Sequence, residues 1–152
     1  MHIGSFPRPT AVYPAGGQVG QTTKVTFVGD ATGDAPFDVQ APSGVTDAFG
    51  VYAEDEGGVS PSSIPFRVSE FGNSLEQEPN NDFANATTVE LPNAFNGIIS
   101  EPGDIDVFRF MAKKGQVFDV ECFARRARTG LDPVVNIYSV SYTHLTLPTT
   151  YG

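Results

Sequence analysis

Apolar and polar residues alternate in short bursts along the first half of the chain. The stretch "KVTFVG", starting at Lys24, has the period of two expected of a strand with one buried face, and it follows a turn-rich "YPAGGQVGQTT". "FDVQA", "FGVYAED" and "IPFRVSEF" come next at short intervals, divided by Gly, Pro, Asp and Ser. No apolar stripe of helical period precedes residue 80. Short strands at regular spacing with turn signals between them predict an all-β fold of the sandwich or barrel kind.

The pattern breaks over residues 70–80, "EFGNSLEQEPN", where polar and charged residues replace the alternation and a proline closes the stretch. This predicts two small modules, 1–72 and 73–139. Strand signals then resume as "TTVEL", "AFNGIIS", "DVFRFMA", "QVFDVECFA" and "DPVVNIYS". "KKG" between the third and fourth predicts a hairpin turn with glycine at positive φ. Phe108 and Phe110 share one face of their strand. Val120, Cys122 and Ala124 share a face of the next, which predicts a buried core thiol at Cys122. Five strands and a short helical turn make a partial sandwich rather than a closed one.

Composition agrees with strands and turns. There are 16 Gly and 12 Pro, 12 Phe and 5 Tyr, and 39% of residues are hydrophobic, enough for a core. The formal net charge of −9 repels phosphates and disfavours a nucleic acid partner, while suiting divalent cations. A single cysteine excludes an internal disulfide and a Cys-based zinc cluster. No stretch approaches the ~20 apolar residues of a membrane helix. "MHIGSFPRPTAV" has no basic start followed by an apolar run, so no signal peptide is expected in this chain.

The chemistry of catalysis is hard to assemble. The histidines are His2 and His144, and there is no G-x-S-x-G, no H-E-x-x-H and no phosphate-binding loop. A nucleophile needs a base and an orienting group, so the expectation is a non-catalytic protein. Oxygen-rich side chains are better represented. Glu76, Glu78, Asn80, Asn81 and Asp82 crowd into "EQEPNND", and "EPGDIDVF" adds Asp104 and Asp106. Calcium takes six to eight oxygen ligands from such groups, and the seven residues are candidate ligands if the two stretches meet. The alternative is local: Pro79 and Asn80 make a turn, Asp82 caps a one-turn helix through "FANA", and Phe83 anchors it in the core. Elsewhere, "ARRAR" (124–128) is the basic cluster, expected as a solvated loop, with an acidic protein or polysaccharide as its alternative partner. Asn85-Ala86-Thr87 is a glycosylation sequon of a kind that arises by chance. Tyr13, Tyr52 and Tyr138 sit in strand-like contexts that suggest core packing rather than a carbohydrate platform.

Two resemblances sharpen these readings. Residues 76–139 resemble the bacterial pre-peptidase C-terminal domain through "EQEPNNDFANAT", "NGIISEPGDIDVFRFMAKKGQVFDVE" and "ARRARTGLDPVVNIY", taken in that order. The resemblance implies a truncated jelly-roll-like β-sandwich without catalytic activity, from secreted multi-domain proteins that are often peptidases. It also implies a calcium site to which Glu76, Glu78 and Asn80 conform, with Asn81 replacing an acidic residue. Asp104 is the better match from the later turn, and Asp106 has the alternative of facing solvent. "PTAVYPAGGQVGQTTKVTFVGD" resembles the opening of an immunoglobulin-like domain of the TIG type, with a clipped start. Finally, residues 140–149 match one reading frame of a transposase-type sequencing adapter. The natural sequence is therefore expected to stop near Ser139, leaving His144 without a role.

These readings lead to an extracellular or cell-surface localisation and a role as spacer, adhesion or substrate-targeting module. The alternatives are a targeting fragment of a secreted peptidase and a carbohydrate-binding module. Extracellular protein or polysaccharide is the expected partner class.

Overall fold

A computed structural model describes residues 4–139. The expected adapter-derived segment 140–152, with His144, lies outside the described residues, as does His2. The fold is all-β: among the described residues the helical content is a single short 3-10 helix, Arg125–Ala127. No helix there is long and apolar enough to cross a membrane.

Strands β1 (Ala11–Tyr13), β3 (Thr22–Val28) and β4 (Ala35–Gln40) form an antiparallel sheet in the order β1-β3-β4. Between the first two lies β2 (Gly16–Gln18), which pairs in parallel with β9 (Arg67–Ser69). β5 (Gly50–Val51) pairs antiparallel with β8 (Ile64–Pro65), and the hairpin of β6 (Glu54–Asp55) and β7 (Gly58–Val59) projects between them in sequence. The alternation read from the sequence is the packing pattern. Val25 and Phe27 of β3 point inward, and Val12 lies opposite Phe27 in the β1–β3 register. These side chains meet Val39, Val51, Ile64, Phe66 and Val68 in one continuous core. Phe66 is wholly enclosed, with Phe49 set edge-on at 6.1 Å between ring centroids. Edge-to-face contact is a favoured geometry for two aromatic rings.

The second half is built differently. β10 (Asn73–Leu75) pairs in parallel with β12 (Ala94–Asn96), and β11 (Thr87–Thr88) pairs in parallel with β13 (Phe108–Arg109). Of the five strands expected here, three form in shortened versions. Residues 116–123 and 131–137 form no strand among the described residues. The "KKG" turn does form: Gln116 N–H donates to the Lys113 carbonyl at 3.1 Å, and Gly115 takes φ 90°. The hairpin beyond it does not: on one flank β13 pairs with β11 instead, and residues 116–123 on the other form no strand among the described residues.

Several further expectations fail. Cys122 is exposed, not a core thiol. Phe83 is 65% exposed instead of anchoring its segment, and Tyr52 and Tyr138 are also exposed. The one-turn helix after Asp82 is replaced by bends. Phe108 and Phe110 do share a face, where both pack on Phe95 at 5.1 and 6.4 Å. Phe118 closes that aromatic row edge-on to Phe110 at 6.1 Å.

Candidate functional site

Backbone pairing carries the two acidic stretches to one place. The β10–β12 ladder continues one residue past β10, where Glu76 N–H donates to the Asn96 carbonyl at 2.9 Å. Glu76 therefore lies beside Gly97. Gln77 N–H is held by Thr87 Oγ1 at 2.9 Å, and the chain turns through Glu78, Pro79 and Asn80. The Asn80 carbonyl then accepts from Val107 N–H at 3.1 Å, and the Val107 carbonyl accepts from Thr87 N–H at 2.8 Å. Those two bonds fix Asp106, just ahead of β13, next to the "EQEPN" turn.

The result is a group of three carboxylates, Glu76, Glu78 and Asp106, each offering an oxygen within 4.8 Å of the others. At an effective dielectric constant of about 20, two full charges at such a distance repel by on the order of 3 kcal/mol. The charge is therefore relieved. Glu76 is pushed up to about 7, first by burial, against the lowering effect of the Ile98 N–H bond, and further by Asp106 and Glu78. Asp106 is also raised, chiefly by burial, and accepts a hydrogen bond from Glu76. With every carboxylate ionised, Glu76 Oε2 and Asp106 Oδ1 are buried and have no donor. A proton shared between them satisfies both atoms, and a cation would do the same.

The surrounding groups hold the carboxylates in place. Ile98 N–H donates to Glu76 Oε1 at 2.6 Å. Asn80 is wholly buried; its backbone N–H donates to Glu78 Oε2 at 2.7 Å. With its amide nitrogen turned toward Glu78, Asn80 also donates to both carboxylate oxygens, at 3.0 and 3.3 Å. Asn80 is thus a positioning residue for Glu78. Gly97 presses its backbone against the cluster, and a β-carbon built there would overlap Asp106 Oδ2 and come within 2.9 Å of Glu76 Oε2. Tyr13 from the first half covers the site: its hydroxyl donates to the Asn96 carbonyl at 3.2 Å, and burial and the Glu76 charge raise its pKa.

Three of the seven expected ligands have other partners. Asp104 Oδ2 accepts from Ser100 N–H at 2.6 Å and from Ser100 Oγ at 2.9 Å, bonds that hold its carboxyl below the ordinary range. Asp104 thus closes the "SEPGD" turn, and Asp106, for which facing solvent was the alternative, is the carboxylate that joins Glu76 and Glu78. Asn81 Oδ1 accepts from Ile105 N–H at 2.7 Å, which ties the two acidic stretches together. Asp82 Oδ1 accepts from the N–H groups of Ala84 and Asn85, both at 2.9 Å, so the capping bonds exist without the helix. Gly97 and Tyr13 were not among the sequence candidates. A glycine immediately after the apolar run "AFN" is a signal of close backbone approach; Tyr13 carries no such mark.

The donor set fits a hard divalent cation. Three carboxylates provide charge and oxygen of the type calcium prefers, with further oxygens needed from carbonyls or water to reach six to eight. Such an ion would replace the shared proton and neutralise the cluster. The "ARRAR" loop is solvent-exposed, as expected, with Arg125, Arg126 and Arg128 all on the surface. Its arginines are engaged, Arg125 with Asp132 at 3.4 Å, Arg126 with Glu121 at 2.5 Å and Arg128 with the Ser63 carbonyl at 2.7 Å.

Compared with protein-family profiles, curated proteins and solved structures, the chain matches none.

Proposed function

We propose that this chain is a non-catalytic pair of β modules from an extracellular multi-domain protein, with a calcium site at Glu76, Glu78 and Asp106. The observation that carries the reading is the convergence of these carboxylates, with two buried oxygens that lack a donor. Calcium would tie the segment after β10 to the segment before β13, where few apolar side chains are buried. In this reading the first module is an immunoglobulin-like sandwich. Its support is a core shared between the β1-β3-β4 sheet and the strands β5, β8 and β9. The second is a partial sandwich of the pre-peptidase C-terminal kind, supported by the "EQEPNND" and "GDIDVF" stretches lying together. The pair serves as a spacer or as an adhesion or substrate-targeting element.

Calorimetric titration of the full chain with calcium tests the site. Binding heat should accompany proton release, because Glu76 gives up its proton, and Glu76→Gln and Asp106→Asn should abolish both. A melting-temperature rise should follow from RT ln(1 + [L]/Kd). No heat and no thermal shift at millimolar calcium would remove the metal from the reading.

A further inference from the structure

We infer that residues 121–128 form a strap that locks the second half onto the first, so that the two modules behave as one rigid body rather than a flexible tandem. Phe123 is held between two guanidinium groups: Arg67 of β9 has its central carbon 3.9 Å from the ring centroid, and Arg126 has its own at 4.1 Å. Glu121 bridges the same two arginines, at 3.5 Å to Arg67 and 2.5 Å to Arg126. Arg67 is further oriented by Asp47 at 3.4 Å. Farther along, Arg128 donates to the Ser63 carbonyl at 2.7 Å.

Each of these contacts is modest alone. A cation–π pair is worth more as it loses water, and an exposed ion pair contributes little. Here they share members: one ring, two guanidinium groups and one carboxylate, in which ordering one side chain orders the next. Arginine suits both faces of the contact, since its plane stacks on the ring while its edge pairs with the carboxylate. The 3-10 helix Arg125–Ala127 supplies the tight turn that returns Arg126 to the Phe123 ring. A second attachment ties the β1–β2 turn to the second half. Asn73 Nδ2 donates to the Gly16 carbonyl at 2.6 Å, and Asn96 Oδ1 accepts from Ala15 N–H at 3.3 Å. The strap lies across Ala15, Pro65 and Arg67, along a cleft of ≈ 220 Å³. With two attachments around the β1–β2 turn, hinge motion at residues 70–80 is blocked. The strap requires no cation at Glu76.

Hydrogen exchange on the full chain tests this inference. The reporters are the amides of Ala127, Arg128 and Thr129, whose hydrogen bonds close the 3-10 turn. Arg67→Ala should speed their exchange about tenfold, the scale of a partly desolvated cation–π contact. Arg67→Lys should speed it by a smaller factor, because an ammonium still attracts the ring but cannot stack on it while pairing with Glu121. Phe123→Ala combined with Arg67→Ala should add little to either alone. The amides of Val25 and Phe27 in β3 should keep their wild-type rates, showing that the first half is intact. If both Arg67 variants leave residues 127–129 unchanged while β3 stays protected, the turn is held locally and the strap is refuted. If Arg67→Ala also loosens β3, Arg67→Lys decides the matter on the same reporters.

Discussion

Between Val12 and Val68 apolar side chains close on one another, while between Met111 and Val135 side chains of the same kind stand in solvent. Phe66 and Val68 are fully enclosed, whereas Val117 is 90% and Met111 88% exposed. Strand-like alternation is present in both regions. The difference is the partner. In the first half the inward faces of β1, β3, β4, β5, β8 and β9 meet one another, and burial drives these strands together. In the second half β13 has a neighbour in β11, but no second layer covers the aromatic row of Phe95, Phe108, Phe110 and Phe118 among the described residues. Beside the small buried patch of Ala86 and Val89, order there rests on polar contacts: the turn at Asn80, the Asp104–Ser100 bonds and the carboxylate cluster.

Substitution should separate the halves most sharply. Phe66→Ala should cost about 3–5 kcal/mol in chemical denaturation, the range for deleting a buried aromatic side chain. Val117→Ser or Met111→Ser should stay within about 0.5 kcal/mol, as surface changes do. Equal losses would mean that the second half has a core after all. Gly97→Ala comes next, at about 1–3 kcal/mol, because a new methyl must displace Asp106 and Glu76. The denaturation midpoint reads this directly, and a neutral result would show the cluster to be loose.

A further effect is expected from pH. Glu76 binds its proton more tightly folded, at about 7, than at the ordinary 4.5. The resulting stabilisation is complete below about 4.5 and is lost as pH rises to about 7. Asp106, raised in the same direction, adds to the decline. Melting temperature of the metal-free chain should therefore fall across that window, and Glu76→Gln should flatten the slope. A rise in stability over the same range would reverse the assignment. Smallest of all, Lys24→Ala removes an exposed pair with Asp38 at 3.4 Å and should cost less than about 0.5 kcal/mol by the same denaturation assay.

Much of the first half was legible because its periodicity is met by matching faces. Val25, Phe27, Val39 and Val68 fall where alternation places them. The same rule misplaced Cys122, since alternation reports which residues share a face and not whether anything covers it. At the site, Glu76 and Glu78 were legible from their crowding around Pro79. The preference for Asp104 over Asp106 was not, because Ser100 captures Asp104 across a turn and the backbone bond from Val107 to Asn80 delivers Asp106. "ARRAR" is exposed as its sequence reads, but its partners Glu121, Asp132 and Ser63 were not legible, because they are set by the fold and Ser63 lies in the other half of the sequence.

The central claim is that the second half is held by its polar cluster, so that a cation there orders it while the core strands of the first half keep their stability. Amide hydrogen exchange of the full chain, with and without millimolar calcium, tests this most directly. Calcium should slow exchange at Asn80, Ile98 and Val107, the amides bonded within the cluster's frame, and leave Val25, Phe27 and Val39 unchanged. Unchanged exchange at Asn80, Ile98 and Val107, or an equal slowing in both halves, would contradict it.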